Sequence, residues 1–565
     1  MKSIILPKAL LNASEFGGKI NSNVVLGLVL KDNPSLKKDI LKLKTEIELI
    51  AKEIEAMSLV EIQKKLKKIS PELNTEKKIK AIDGPLKPLP DADLGKVMVR
   101  IAPSPSGPLH IGHAYGASLN YEYAKMYKGK FIVRIEDTNP ENIYPLAYEL
   151  IENDANWLTD KGVNQVIIQS SRLGIYYDYA EKLVTLDKAY VCTCNSDEWR
   201  EKKNLAQACP CRNLKIKENQ FRYAKMFNGY AEGEAVLRLK TDIQDKNPAL
   251  RDFAILRINE HVHPKCGKEQ RVWPLMVFSV AVDDHELGIT HVLNGKDHAD
   301  NAQKERIIMG FLGWKTPVYR HWGRINFEGY KLSTSKTRLA IEQGEYTGWD
   351  DIRLPFLAAL RKRGYQPGAF RKYALEIGLS LNDKTVTLEE FWKNINSFNR
   401  ELIETKANRY FFVDDPIKLE IEAAPIKEFK LDLHPDFPNR GQRKLSLKKG
   451  VYLAKTDFSN LDSGKVHRLM DAFNFKLDKG KFKFVSEDYE EYRNSEKKGV
   501  IVHWLPEGET VKVQVLMDTG VIIKGLGEKS MDKLNVGDIV QLERRFFAKL
   551  NKKEKDCLTF WYLHK

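Results

Sequence analysis

The chain has 565 residues, more than one hydrophobic core organises; at about 150 residues per domain it implies roughly four domains. An apolar fraction of 42% beside 30% charged residues excludes an intrinsically disordered chain. Lys and Arg number 92 against 77 Asp and Glu, and the net charge of +15 favours a polyanionic partner through counterion release.

The longest apolar runs, such as NVVLGLVL at 23–30, fall far short of the ~20 residues that span a bilayer. Pro7 and Lys8 interrupt any leader-like core, so a cytoplasmic protein is expected. From 34 to 69, Leu and Ile recur at three- and four-residue steps with Lys and Glu between them, which predicts amphipathic helix. Pro71 and the proline-rich stretch 84–95 break that pattern and read as a linker, closing a helical N-terminal region at 1–95.

Strands predicted over 97–102, 130–136 and 166–170 then alternate with helices over 110–127, 146–158 and 173–188. This alternation predicts a parallel, Rossmann-like α/β sheet. It stops at 190, where cysteines, polar segments and short β-like runs such as 234–240 predict an insertion over 190–282. A strand over 288–295 and a helix over 297–312 resume the sheet, so the α/β domain is split into 96–189 and 283–338. Residues 339–408 read as a helical connector, and 409–565 as short strands with frequent turns, the pattern of β-barrels.

APSPSGPLHIGHAYG, 102–116, lies where the first strand meets the first helix. Ligands of such sheets bind at the carboxyl ends of strands, and a helix N-terminus there presents free N–H groups to phosphate. His110 and His113 share the first helical turn, and Gly112 leaves room for a flat ring against the backbone. Far downstream, GYKLSTSKTR, 329–338, sets Lys331 and Lys336 among hydroxyls, a segment suited to a triphosphate.

PLHIGH, 108–113, and KLSTSK, 331–336, resemble the two signature motifs of class I aminoacyl-tRNA synthetases. RIAPSPSGPLHIGHAYG and GKFIVRIEDTNP resemble the glutamyl and glutaminyl branch, and the sequence after LSTSK its archaeal and eukaryotic form. The resemblance implies a class I α/β catalytic domain with an inserted acceptor-binding domain, a helical connector and a C-terminal β-barrel anticodon-binding region. It further implies glutamate–tRNA ligation: ATP with Mg²⁺ activates L-glutamate, and the acyl group passes to the 3′ end of tRNA(Glu) or also tRNA(Gln). Glutaminyl-tRNA ligation, or a duplicated synthetase kept as a tRNA-binding module, are the alternatives, and a monomer is expected.

By the same resemblance, His110, His113 and Lys336 are catalytic, forming a cationic clamp on the phosphates, and Ser106, Gly112, Lys331, Ser333 and Ser335 contact ATP. Arg100, Ala102, Ser104 and Glu136 match amino-acid pocket positions, and a planar fork at Arg100 suits a substrate carboxylate. Two positions depart from the pattern: Met276 stands where relatives usually have tyrosine, and Asn294 where they usually have arginine. These departures put the pocket's second carboxylate contact in doubt.

Six cysteines are too few for a disulfide scaffold, and four of them crowd together: Cys192, Cys194, Cys209 and Cys211 offer four soft ligands, enough for a closed tetrahedral zinc site. His261 and His263 beside Cys266 read as structural instead. The basic excess finds a partner in tRNA: RGQRKLSLKKG, 440–450, and KLDKGKFKF, 476–484, mix lysines with aromatics, as phosphate tracking with base stacking requires.

Overall fold

The computed structural model describes residues 1–15, 18–69, 84–328 and 333–565. Two compact units divide the chain, Met1–Ile82 and Asp83–Lys565.

The first unit packs α1 (Lys2–Glu15), α2 (Ser22–Asp32), α3 (Ile40–Glu55) and α4 (Leu59–Ile69). The stripe Leu43, Ile47, Ile50 and Ile54 on α3 is buried against Ile5 and Leu10 of α1, Val29 of α2 and Leu66 of α4. Ser58 and Glu61 start α4 with a reciprocal capping box, the Ser58 N–H donating to Glu61 Oε2 at 2.9 Å. Sequence periodicity reached only α3 and α4. Pro7 lies inside α1, and the unbroken apolar run of α2 shows no polar face from which a period can be read.

In the second unit, β1 (Met98–Ile101), α5 (Ile111–Met126), β2 (Lys130–Ile135), α6 (Ala147–Leu158), β3 (Gln165–Ile168) and α7 (Leu173–Thr185) form the expected alternation. The three strands are parallel, with Arg100 opposite Ile132. An insertion follows: β4 (Ala189–Cys192), α8 (Ser196–Asn204), α9 (Ile216–Asn228), β5 (Val236–Leu239), β6 (Ala254–Ile258) and β7 (Val272–Pro274), the strands forming an antiparallel sheet in chain order. Then α10 (Met276–Glu286), β8 (His291–Gly295), α11 (Ala299–Leu312) and β9 (Val318–Trp322) complete the α/β layer, β8 parallel to β9. The Thr290 N–H donates to Met98 O at 3.0 Å, which brings β8 alongside β1 across the insertion.

The stretch read as a linker is part of this unit. Leu86 and Leu89 are buried, the Leu89 N–H donates to Tyr127 Oη, and Tyr123 Oη donates to Lys87 O. Prolines here mark an extended strap on the α/β domain, because an extended backbone satisfies its polar groups on neighbouring side chains.

Helices α12 (Thr334–Glu342), α13 (Leu357–Arg363), α14 (Pro367–Ile377) and α15 (Leu388–Ile403) form the connector. Beyond it, a seven-stranded sheet runs in the order Asn408–Tyr410, Ile539–Leu542, Phe546–Glu554, Cys557–His564, Thr510–Leu516, Ile522–Glu528 and Phe412–Asp414. Its two edge strands are consecutive in the chain, joined at the buried Phe411, so the sheet curls into a nearly closed barrel.

The basic stretches of the tail are committed differently from expectation. Arg443 is buried between Glu528 and Glu543, and Lys481 and Lys483 pair with Glu422 and Asp478. Phe482 and Phe484 are half-buried, each packing one side against the core that holds the fully buried Phe475. Among the described residues no helix is long and apolar enough to cross a membrane.

Candidate active site

Three prolines, Pro103, Pro105 and Pro108, keep the chain extended after β1 and delay α5 until Ile111. His110 is the N-cap: its Nδ1 accepts the Gly112 N–H at 3.0 Å, while His113 Nδ1 accepts the His110 N–H at 3.3 Å. The two rings stack with centroids 3.8 Å apart. Because each Nδ1 is an acceptor, each proton sits on Nε2, and both imidazoles are neutral donors. Their surroundings agree. The crowding protein around the cleft mouth lowers His113 to about 4 although its ring stays exposed, and desolvation together with His113 holds the half-buried His110 well below its ordinary value. As neutral groups the two histidines can offer N–H donors to an anion, and the positive charge expected of them is absent.

The loop is held from both sides. The Leu109 N–H donates to Asp154 Oδ2 on α6 at 3.1 Å, and burial pushes that carboxyl up to about 7. The Ile111 N–H donates to Pro355 O, and the Leu357 N–H donates back to Leu109 O. Gly107 meets the second motif directly: a Cβ there would lie 2.2 Å from Thr334 Cγ2. Ser333 caps α12, accepting the Lys336 N–H at 3.4 Å, and Ser335 and Lys336 are exposed on its first turn. Lys331 lies outside the described residues.

A cavity of about 290 Å³ opens at the carboxyl ends of β1 and β8. Arg100, Ala102, Ser104 and Glu136 line it, as the sequence led us to expect, together with Gly112 and His113. Met276 and Asn294 form part of the same wall. Ser106 and His110 belong to the loop at its edge and are not among the lining residues.

Arg100 is not a free fork. Its Nε and Nη2 donate to Asp284 Oδ1 and Oδ2 at 3.0 and 2.8 Å, which uses two of five N–H groups. Arg134 donates to Asp284 at 2.6 Å and to Glu136 at 3.0 Å, and Arg172 donates to Asp283 at 2.8 Å. Burial alone would raise Asp284, but Arg100 and Arg134 outweigh it and hold it below the ordinary carboxylate range. Burial wins at Glu136, which is raised despite Arg134. Asn294 Oδ1 accepts from His321 Nδ1 at 2.7 Å, so its amide nitrogen is the group left to donate. Met276 opens α10 and contributes only apolar surface.

Sequence reasoning missed Glu305. It is buried on α11 and lines the cavity, on the same helical stripe as Ala302, Ile308, Met309 and Leu312. An acid at three- and four-residue spacing from apolar neighbours was the available signal.

In the insertion, the four cysteine Sγ atoms lie within 4.8 Å of one another, with Cys192 to Cys209 and Cys194 to Cys211 both at 3.8 Å. Zn–S bonds of about 2.3 Å require tetrahedron edges of about 3.8 Å, so the donor set fits the metal. His263 is spent otherwise, its Nε2 on Asp137 O and its Nδ1 accepting the Lys265 and Cys266 N–H groups.

Comparison with known proteins agrees with this geometry. Residues 96–405 match the family "tRNA synthetases class I (E and Q), catalytic domain", and residues 407–493 match its anti-codon binding domain. The "Glutamate--tRNA ligase" of Pyrococcus furiosus is 44% identical over 578 residues, and that of Methanocaldococcus jannaschii 42% over 570, each alignment covering 100% of both chains. A crystal structure of a glutamate tRNA ligase from Elizabethkingia meningosepticum in complex with its amino acid aligns at 21% identity and TM-score 0.41, over 55% of this chain and 70% of that one. With a catalytic domain and full-length relatives of one kind, the chain belongs to the class I tRNA synthetases of the E and Q group.

Proposed function

We propose that the chain is a glutamate–tRNA ligase. The observation that carries this is the full-length similarity to glutamate–tRNA ligases, supported by the close approach of Gly107, just before the first motif, to Thr334 of the second. ATP enters with Mg²⁺ on its phosphates, and the α-carboxylate of glutamate displaces pyrophosphate from the α-phosphate. The 2′-hydroxyl of the terminal tRNA adenosine then takes the acyl group and releases AMP. His110 and His113 donate Nε2–H bonds to the phosphates from one side of the cleft, Lys336 supplies positive charge from the other, and Lys331 is the motif's second cation. Ser106, Gly112, Ser333 and Ser335 frame the nucleotide. Arg100, oriented by Asp284, receives the glutamate carboxylate that does not react, with Ala102, Ser104, Glu136, Met276 and Asn294 around it.

Cys192, Cys194, Cys209 and Cys211 would hold a structural Zn²⁺, which would brace the insertion that meets the acceptor stem without entering the chemistry. The enzyme acts as a cytoplasmic monomer on tRNA(Glu). ATP–pyrophosphate exchange with glutamate in the presence of tRNA, followed by acylation of tRNA(Glu) and tRNA(Gln), tests the reading. Exchange with glutamine in place of glutamate would reassign the substrate, and acylation of both tRNAs would widen the partner set.

A further inference from the structure

Glu305 occupies the middle of α11, is buried to 5% exposure, and lines the cavity with Arg100. The charges around it are already matched. Arg100, Arg134 and Arg172 engage Asp284, Glu136 and Asp283, three guanidinium cations against three carboxylates. None of the ion pairs among the described residues includes Glu305. Ionised, this fourth carboxyl group would add uncompensated charge next to Asp284; protonated, it is neutral and carries an O–H donor. Burial and Asp284 push it up to about 7, against the opposing pull of Arg100, Tyr319 and Arg134.

The other groups facing it leave this balance in place. Tyr319 on β9 stays protonated through its own burial and the proximity of Glu305. The Arg306 guanidinium is engaged over the Tyr319 ring. His321 is lowered by burial and Arg306, and His298 lines the cavity. Among the other lining residues, Met276 and the amide of Asn294 bring no positive charge to meet an incoming anion.

We propose that Glu305 works as a carboxylic acid, donating its proton in a hydrogen bond to the unreacting carboxylate of glutamate docked on Arg100. The proposal rests on the ligase reading above and deepens it: Glu305 becomes a specificity-determining residue, whose O–H recognises a carboxylate and whose ionisation repels one. Two carboxyl groups at hydrogen-bond distance share one proton because both cannot ionise, and the resulting O–H···O⁻ bond is short and strong.

Pyrophosphate exchange at varied glutamate, with tRNA present, from about pH 6 to about pH 8.5, tests this. KM for glutamate is expected to be lowest at the acid end and to climb toward about tenfold per pH unit above about pH 7, with kcat at saturating glutamate moving less. Glu305→Gln, whose amide donates at every pH, is expected to flatten the climb. Glu305→Ala is expected to raise KM at the acid end. A wild-type KM that is constant across the range, or a Glu305→Gln profile that climbs in parallel with wild type, overturns the donor role while leaving the ligase intact. Absence of exchange with glutamate at every pH in the wild-type enzyme overturns the ligase reading and the donor role with it.

Discussion

Gly107 and Thr334 approach so closely that a methyl group on Gly107 would stand 2.2 Å from Thr334 Cγ2 and 3.2 Å from the Trp349 ring. The residue just before the first motif thus touches the second motif, far away in the chain, at a position that admits only glycine. Gly107→Ala must push α12 outward, and with it Lys336, away from His110 and His113. The expected result is a fall of about 10²-fold in kcat for pyrophosphate exchange, with tRNA affinity unchanged. Thr334→Ser deletes the opposing methyl group, and the double variant should regain much of the loss. Near wild-type turnover in Gly107→Ala alone would show that the contact does not set the distance between the motifs.

The stacked imidazoles lead to a second prediction. With each Nδ1 accepting a backbone N–H, His113 presents a neutral Nε2–H, and its lowered pKa of about 4 keeps it neutral at working pH. The proton is taken up only as pH falls from the ordinary value toward 4, so His113 contributes a donor and not a charge above that window. His113→Ala should cost about 10²–10³-fold in kcat, as loss of one preorganised donor does. His113→Lys, which restores charge without the fixed geometry, should recover little. A lysine variant as fast as wild type would mean that charge was the contribution.

Where local chemistry dictated structure, the sequence was readable. The β1 to α5 junction followed from prolines that forbid helix before Ile111 and from the apolar period after it. The cysteine cluster followed from spacing alone. What escaped depends on which face of an element is covered. Arg100 looked like an open fork because Asp284, its bidentate partner, lies on α10 beyond the insertion. Glu305 looked like any acid on a mixed helix until the stripe it shares with Ile308 and Met309 was seen to be buried. Arg443 suggested an RNA contact in a basic stretch, yet alternation along a strand sends successive residues to opposite faces, and this one faces the core.

Four thiols with 3.8 Å contacts between neighbours form the proposed zinc site, and removal of that metal is expected to act locally. Protein prepared without chelator is expected to carry about one zinc per chain, measured by elemental analysis. Cys211→Ser should lower that content and the thermal midpoint together, because metal binding and the fold of the insertion are linked. Glutamate activation should suffer less than acylation of tRNA, since the cluster lies in the insertion and outside the cleft. A zinc content far below one per chain in the wild type rejects the assignment.

Arg443 separates a structural cation from an RNA-binding one. It is 3% exposed in its side chain and donates to Glu528 and, at 2.8 Å, to Glu543, whose side chains are 0% and 11% exposed. Arg443→Met would leave both carboxylates in the barrel without their cation, a loss of about 3–5 kcal/mol by urea denaturation at neutral pH. Burial already raises Glu528 despite Arg443, and removing the arginine raises it further. A carboxyl whose pKa is higher folded than unfolded favours the folded state at low pH and penalises it as pH rises. The deficit of Arg443→Met should therefore be largest near pH 8 and shrink toward about pH 5, as Glu528 takes up a proton. Affinity for tRNA, measured where the variant is fully folded, should match wild type. Unchanged stability with weakened tRNA binding would return Arg443 to the RNA-contacting surface.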